Sequence, residues 1–142
     1  MIIVDTNVIN EFMKPNLDPR VLAWAAKASH NELFMTAISV QEIEYGIRLL
    51  PDGARKQRLE TAWSRIRLSY DKNVISYDHS AAERTADILA TMRGLGLPMS
   101  LEDAQIAGIC LSKNATLATR NTKDFSAIDS FSCIDPWNID VI

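Results

Sequence analysis

Four carboxylic acids in this chain fall at the ends of apolar strands or near the starts of helices. They are Asp5, Glu42, Asp103 and Asp124. Carboxylate oxygens are the hard ligands that Mg²⁺ and Mn²⁺ prefer. Without a cation, two such charges about 4 Å apart repel each other by about 4 kcal/mol at an effective dielectric constant of about 20. If these acids meet in the fold, they indicate a metal site or carboxyl groups with raised pKa values.

The sequence carries no other common catalytic set. It contains no Gly-x-Gly-x-x-Gly or phosphate-loop motif, and no Ser/His/Asp or Cys/His set stands out. Cys110 and Cys133 fit no metal-binding spacing, which favours reduced structural thiols in a cytoplasmic protein. The acids favour metal-assisted activation of water beside a phosphoryl group.

Each acid also has a structural interpretation. Ser39-Val40-Gln41-Glu42 matches a capping box and residues 100–103 nearly match one, so Glu42 and Asp103 would satisfy helix N-termini. Asp124, in a polar loop, would be a solvated turn residue. For Asp103, capping and metal binding are compatible, because a first-turn carboxylate has a second oxygen to offer. The helix after Asp103 is apolar nearly all round, so it is predicted to be buried and to meet solvent at its N-terminus.

The elements that position these acids alternate between strands and helices. Strands are predicted at Met1-Ile2-Ile3-Val4, 33–38, 74–77, 116–119 and, weakly, 132–134. Helices are predicted over about 7–13, 18–28, 39–50, 54–69, 78–93 and 101–112, with Asp18 and Asp78 as the caps of the second and fifth. This alternation predicts an α/β fold with a mainly parallel sheet of about five strands. Asp5 would then stand at the carboxyl edge of the sheet, where ligands bind in such folds.

Length and composition limit the class of protein. A chain of 142 residues with 47% hydrophobic content fits one domain, predicted to span residues 1–142. No apolar stretch is long enough to cross a bilayer, and no basic region precedes the first apolar run, so we expect a cytoplasmic protein without a signal peptide. The formal charge of −3 argues against holding nucleic acid by bulk electrostatics.

Nucleic-acid binding would therefore need a local basic patch or a bound metal ion. The predicted helix 54–69 offers a basic face with Arg55, Lys56, Arg58 and Arg65. This face is either a solvated helix surface or a track for an RNA backbone.

Four motifs, in order, resemble those of PIN-domain ribonuclease toxins of the VapC type, with the FitB-like branch as the nearest pattern. The motifs are Ile3-Val4-Asp5-Thr6-Asn7, Ser39-Val40-Gln41-Glu42-Ile43-x-Tyr45-Gly46, Asp103-Ala104-Gln105-Ile106-Ala107 and Ala118-Thr119-Arg120-Asn121-Thr122-Lys123-Asp124-Phe125, and Asp135-Pro136-Trp137-Asn138 closes the chain. Each motif is modest alone, but their order and spacing extend over nearly the full length.

The resemblance implies a three-layer PIN fold and a bacterial or archaeal endoribonuclease that cuts RNA with Mg²⁺ or Mn²⁺. Asp5, Glu42 and Asp103 would hold the metal, and Asp124 would join them in the catalytic set. The side chains that would support these acids by hydrogen bonds are Thr6, Asn7, Thr119 and Asn121.

One departure from the family pattern opens an alternative. Many relatives carry an acid directly after the Thr-Arg pair, where this chain has Asn121. A catalytically weakened PIN-like protein that acts as a binding or regulatory partner is therefore the second hypothesis.

The resemblance also implies partners. The protein would be the toxin half of a type II toxin–antitoxin pair and a homodimer. A small antitoxin of the VapB or FitA type would block its groove and form a hetero-oligomer with it. Contact with DNA would then be indirect, through the antitoxin's own DNA-binding domain, and no membrane partner is expected.

Overall fold

The computed structural model describes residues 1–28 and 32–139. Its strands form one five-stranded sheet in the order β3-β2-β1-β4-β5, and every neighbouring pair is parallel. The strands are β1 (Ile2–Val4), β2 (Leu33–Thr36), β3 (Val74–Ile75), β4 (Thr116–Ala118) and β5 (Ser132–Ile134). The predicted α/β fold is confirmed, and the sheet is parallel throughout.

The described residues also form α1 (Thr6–Phe12), α2 (Pro19–Lys27), α3 (Ala37–Arg48), α4 (Ala54–Ser69), α5 (His79–Gly94) and α6 (Leu101–Lys113). A short 3-10 helix, Thr122–Phe125, follows β4. Asp18 and Asp78 cap α2 and α5 through their side chains, as their positions in the sequence predict. Within the described residues, no helix has the length and apolar character needed to cross a membrane.

Two hydrophobic cores cover the two faces of the sheet. Successive strand residues point to opposite faces, so Ile3 and Leu117 join the core beneath α5 and α6, whereas Val4 and Ala118 join the core beneath α1 to α4. The result is the predicted three-layer arrangement, with helices on both faces of the sheet.

The helix after β2 begins earlier than predicted. The prediction placed Ser39 at its start, but α3 begins at Ala37, and the Thr36 side chain caps it by accepting a hydrogen bond from the Ser39 N–H at 3.1 Å. The prediction of a capping box at Ser39 was therefore wrong, because Thr36, equally suited to capping, precedes it. Ser39 lies inside the first turn, and its hydroxyl is available to the edge of the sheet.

Strand β3 is shorter than predicted, ending at Ile75 instead of Tyr77. It lies at the edge of the sheet and pairs with β2, in the register Met35 to Val74 and Thr36 to Ile75. Since β2 ends at Thr36, no strand within residues 1–28 and 32–139 pairs with the residues after Ile75. Turn residues and apolar content could not predict where β3 ends, because its end depends on where the neighbouring strand β2 ends.

Candidate active site

The carboxyl ends of three neighbouring strands meet at one edge of the sheet. Asp5 directly follows the central strand β1, Glu42 lies in α3 after β2, and Thr119 directly follows β4. The N-terminal turn of α6 brings Asp103 to the same edge, where its charge acts on Asp5. The topology therefore brings three of the predicted acids to the same edge of the sheet, close enough for their charges to interact.

Asp5 is buried, with 4% of its surface exposed, and both of its carboxylate oxygens accept hydrogen bonds. Its Oδ1 accepts from the Thr6 N–H at 2.8 Å, which caps α1, and its Oδ2 accepts from the Thr119 hydroxyl at 2.8 Å. Each oxygen retains a second lone pair. Asp5 is thus held in one orientation while it can still act as a ligand.

Thr119 connects three of the predicted residues. Its hydroxyl donates to Asp5 and accepts from the Asn7 side-chain amide at 3.1 Å and from the Asn121 N–H at 3.1 Å. One donor and two acceptor positions are all that a hydroxyl has, so this fully buried group is satisfied. Asn7 in turn accepts from the Arg120 N–H at 3.2 Å. Asn121 supports the network through its backbone.

Glu42 is oriented by two hydroxyl groups. The Thr6 hydroxyl donates to Glu42 Oε1 at 3.1 Å and lies 2.8 Å from the Ser39 hydroxyl. Because Thr6 has a single proton to donate, Ser39 must donate to Thr6. The half-buried Glu42 therefore has one fixed oxygen.

The other two predicted acids are Asp103, in the first turn of α6, and Asp124, in the 3-10 helix after β4. Asp103 is half-buried, and its N–H donates to the hydroxyl of Ser100, the predicted N-cap of α6, at 3.1 Å. The Ser100 side chain also forms a hydrogen bond with the Asp103 carboxylate, which lowers its pKa and partly offsets the effect of burial. The carboxylate keeps further lone pairs for other donors or a cation. Asp124 is exposed in the 3-10 helix, where its N–H donates to the Asn121 carbonyl at 3.0 Å.

The acids at this edge disfavour one another's ionised forms. Burial is the largest cause that raises the pKa of Asp5, and the charges of Asp103 and Asp124 raise it further. Burial also raises the pKa of Glu42, with added contributions from Asp5 and Asp103. The pKa of Asp103 is raised first by burial and then by the charges of Asp124 and Glu102. A cation at this edge would relieve these costs.

The donor set suits a divalent cation in its chemistry, although it does not form a closed cage. Across residues 1–28 and 32–139, no three acidic, histidine or cysteine side chains are grouped closely enough to hold a metal ion as they stand. The acids nevertheless interact electrostatically, and hard carboxylate oxygens are the ligands that Mg²⁺ and Mn²⁺ prefer.

Sequence reasoning missed two members of this edge. Ser39 was assigned to a cap, although the pair Thr36 and Ser39 could have suggested that the earlier residue caps the helix. The Arg120 guanidinium lies over the buried Trp137 ring, 4.9 Å from its centroid, while the Arg120 backbone N–H donates to Asn7. Arg120 and Trp137 are 17 positions apart in the sequence, so no local sequence pattern indicates their contact.

Comparison with known proteins gives consistent results. A family model described as the PIN domain matches residues 2–130. The plasmid stability protein StbB of Pseudomonas syringae pv. tomato is 35% identical over 138 residues, covering 96% of this chain and 99% of that protein. The VapC ribonuclease Y4jK of Sinorhizobium fredii is 32% identical over 141 residues, covering 96% and 98%. The solved structure of FitAcB from Neisseria gonorrhoeae superposes with a TM-score of 0.88 at 30% identity, covering 98% of this chain and 100% of that one.

Proposed function

This chain belongs to the PIN-domain family, and we propose that it is the endoribonuclease toxin of a type II toxin–antitoxin pair. The observation that supports this most is the set of acids at the carboxyl edge, where Asp5, Glu42 and Asp103 each have a raised pKa. A purely structural role would not require three acids to be held where their charges oppose one another. The similarity to a VapC ribonuclease supplies the substrate class.

In this proposal Asp5, Glu42 and Asp103 hold Mg²⁺ or Mn²⁺. The bound cation would lower the pKa of a water molecule and stabilise charge on the phosphate that is cleaved. The chain's own residues orient the carboxylates, since Thr119 fixes Asp5 and Thr6 fixes Glu42. Asp124, exposed and close enough for its charge to act on Asp103, contributes by attracting the cation.

The partners follow from the same similarity. We propose a small antitoxin of the VapB or FitA type that covers the acidic edge and carries the DNA-binding function, and a homodimer of the toxin itself. Both the antitoxin and the RNA substrate would be met in the cytoplasm.

The proposal is tested by comparing the RNA cleavage rates of the wild type and the Asp103→Asn variant. Wild-type protein is expected to cut RNA with Mg²⁺ or Mn²⁺ and to stop when the cation is chelated. Asp103→Asn should lower the rate by about 100-fold or more, because a metal contributes several kcal/mol of transition-state stabilisation. The control is Glu102→Gln, which removes the exposed neighbouring acid from the same turn and should keep most of the activity.

Activity that survives Asp103→Asn would contradict the role of Asp103. A wild-type protein that folds and captures an antitoxin but cuts no RNA would favour the catalytically weakened binding partner, which Asn121 makes the second candidate.

A further inference from the structure

A groove of about 1190 Å³ leads away from the acidic edge between α1, α3 and α4. Thr6 and Glu42 are among the residues that line it, so the groove is continuous with the candidate active site. Its floor is apolar and includes Ile43, Ile47, Leu59 and Ile66, the first pair from α3 and the second from α4. The rim that α4 contributes is cationic.

Three arginines on α4 line this groove: Arg55, Arg58 and Arg65. Their spacing of i, i+3 and i+10 keeps them on one stripe of the helix, which extends over about 15 Å. None of them forms an ion pair with the described part of the chain. Their charges therefore remain available to a ligand.

The other cations of α4 behave differently. Lys56 lies 3.6 Å from the Asp52 carboxylate, and Arg67 lies 3.9 Å from the Glu44 carboxylate. Neither Lys56 nor Arg67 lines the groove. The α4 cations that lie outside the groove are thus paired with acids, whereas those that line it are unpaired. The single basic face expected from the sequence is therefore two groups of cations.

We propose that Arg55, Arg58 and Arg65 bind the sugar–phosphate backbone of single-stranded RNA and lead it to the acidic edge. This inference rests on the proposed nuclease function and names the surface that positions its substrate. Guanidinium groups pair with phosphate oxygens through geometrically matched hydrogen bonds. The apolar floor receives the faces of unpaired bases, which a duplex would not expose.

The local charge also explains how an acidic protein approaches RNA. The chain carries a formal net charge of −3, and Asp5, Glu42 and Asp103 add local negative charge where the phosphate must arrive. A cation neutralises the acids at the point of cleavage, while the arginines attract the strand alongside it. The arginines would thus bind the strand along the groove, and the acidic edge with its cation would mark the point of cleavage.

The test compares two double variants of equal charge change. Arg58→Gln with Arg65→Gln removes two arginines that line the groove, and Lys56→Gln with Arg67→Gln removes two paired cations beside it. Binding of a fluorescent single-stranded RNA is measured by anisotropy from about 50 to 200 mM salt, a range in which phosphate contacts are strongly salt-dependent. Chelator in the buffer prevents cleavage and makes the measurement independent of the metal.

We expect the groove variant to reduce the slope of log affinity against log salt by about 1.4, since each phosphate contact on a single strand contributes about 0.7. The control variant should leave the slope unchanged. Equal slopes for the wild type and both variants, or equal losses in both variants, would overturn the proposal. Unchanged RNA binding together with lost antitoxin capture by the groove variant would assign the groove to a protein instead.

The same variants separate this inference from the proposed function. If the arginines bind RNA but the wild type cuts none with Mn²⁺, the nuclease function fails and the groove assignment stands. If the groove variant cuts RNA as fast as the wild type at limiting RNA, the groove assignment fails and the nuclease function stands.

Discussion

At the scale of single residues, Asp5 shows how one carboxylate serves the fold and the site together. It caps α1 through Oδ1, accepts from Thr119 through Oδ2 and is almost fully buried. Capping and metal binding were competing explanations for acids in this chain, but the geometry makes them compatible, because each oxygen has two lone pairs.

The sequence could indicate which acids meet, but not how their side chains are held. Strand ends in a parallel sheet share one edge, so Asp5, Glu42 and Asp103 were expected there. The hydrogen bonds from Thr119 and Ser39 depend on contacts between distant segments, so nothing in the local sequence specifies their partners. The roles of the predicted acids as ligands remain a proposal.

Glu42→Gln is expected to stabilise the metal-free protein at neutral pH. Glutamine keeps an acceptor for the Thr6 hydroxyl while removing a charge that burial and neighbouring acids disfavour. A melting temperature higher by about 1–3 °C would be consistent with a gain below 1 kcal/mol. Thermal unfolding in chelator measures it, and a clear loss of stability would show that the Glu42 charge supports the fold.

The stability difference between Glu42→Gln and the wild type should depend on pH, with a sign set by the raised pKa of Glu42. The folded-state pKa of Glu42 is raised, so the folded protein retains its proton more strongly than the unfolded chain. Stability is then lost as pH rises from the ordinary value of 4.5 through the folded pKa. The advantage of Glu42→Gln should be absent near pH 4 and grow towards pH 7, the range in which an ordinary carboxyl group ionises. An advantage that shrinks as pH rises would contradict the assignment.

At the scale of elements, the N-terminal turn of α6 is positioned by close packing against α5. Gly108 in α6 faces the Thr85 hydroxyl, and a methyl group there would also come within 2.7 Å of the Ala81 carbonyl oxygen. This contact sets how near the two helices lie and hence where Asp103 stands at the edge.

Gly108→Ala is expected to lower the free energy of unfolding by about 1–3 kcal/mol, because overpacking forces the helices apart. Gly46→Ala in α3 is the matched control, since a methyl group there meets no atom within 4 Å. It should raise stability by up to about 1 kcal/mol through helix propensity. Chemical denaturation measures both, and a Gly108→Ala protein as stable as the Gly46→Ala protein would contradict the tight contact.

Most elements could be predicted to within a residue or two at each end, because local signals specify them. Helix α4 and strand β5 have the bounds that the sequence predicts, and Asp18, Asp78 and Ser100 cap the helices expected. The differences arise where tertiary contacts decide, as at the end of β3. The 3-10 helix after Asn121 was not predicted, since it is a single short turn between β4 and β5.

At the scale of the whole molecule, charge is arranged by location. Asp5, Glu42, Asp103 and Asp124 lie at the sheet edge, and the unpaired arginines of α4 line the groove that leaves it. Net charge alone argued against nucleic-acid binding, yet the local arrangement favours it once a cation is present. The spacing of basic residues along α4 could not show that Arg58 and Arg65 line the groove while Lys56 and Arg67 pair with acids. That difference depends on the tertiary fold.

The proposed homodimer gives a prediction at this scale. Light scattering of the purified chain without antitoxin should give a mass near twice the 15.9 kDa of one chain. A single-chain mass at concentrations of about 10 µM or more would contradict a stable homodimer, because such dimers hold together well below that range. It would leave the acidic edge and its chemistry unaffected.

The most direct test of the central claim is calorimetric titration of Mn²⁺ into the chelator-treated protein. The wild type is expected to bind the cation, Glu102→Gln to bind it within about threefold of the wild type, and Asp103→Asn to bind it at least about tenfold more weakly, a loss of about 1.4 kcal/mol. These results would tie the cation to the carboxylates of Asp5, Glu42 and Asp103 and not to general negative charge. A wild type that binds no Mn²⁺ at millimolar concentration, or an Asp103→Asn protein that binds it as tightly as the wild type, would contradict the account.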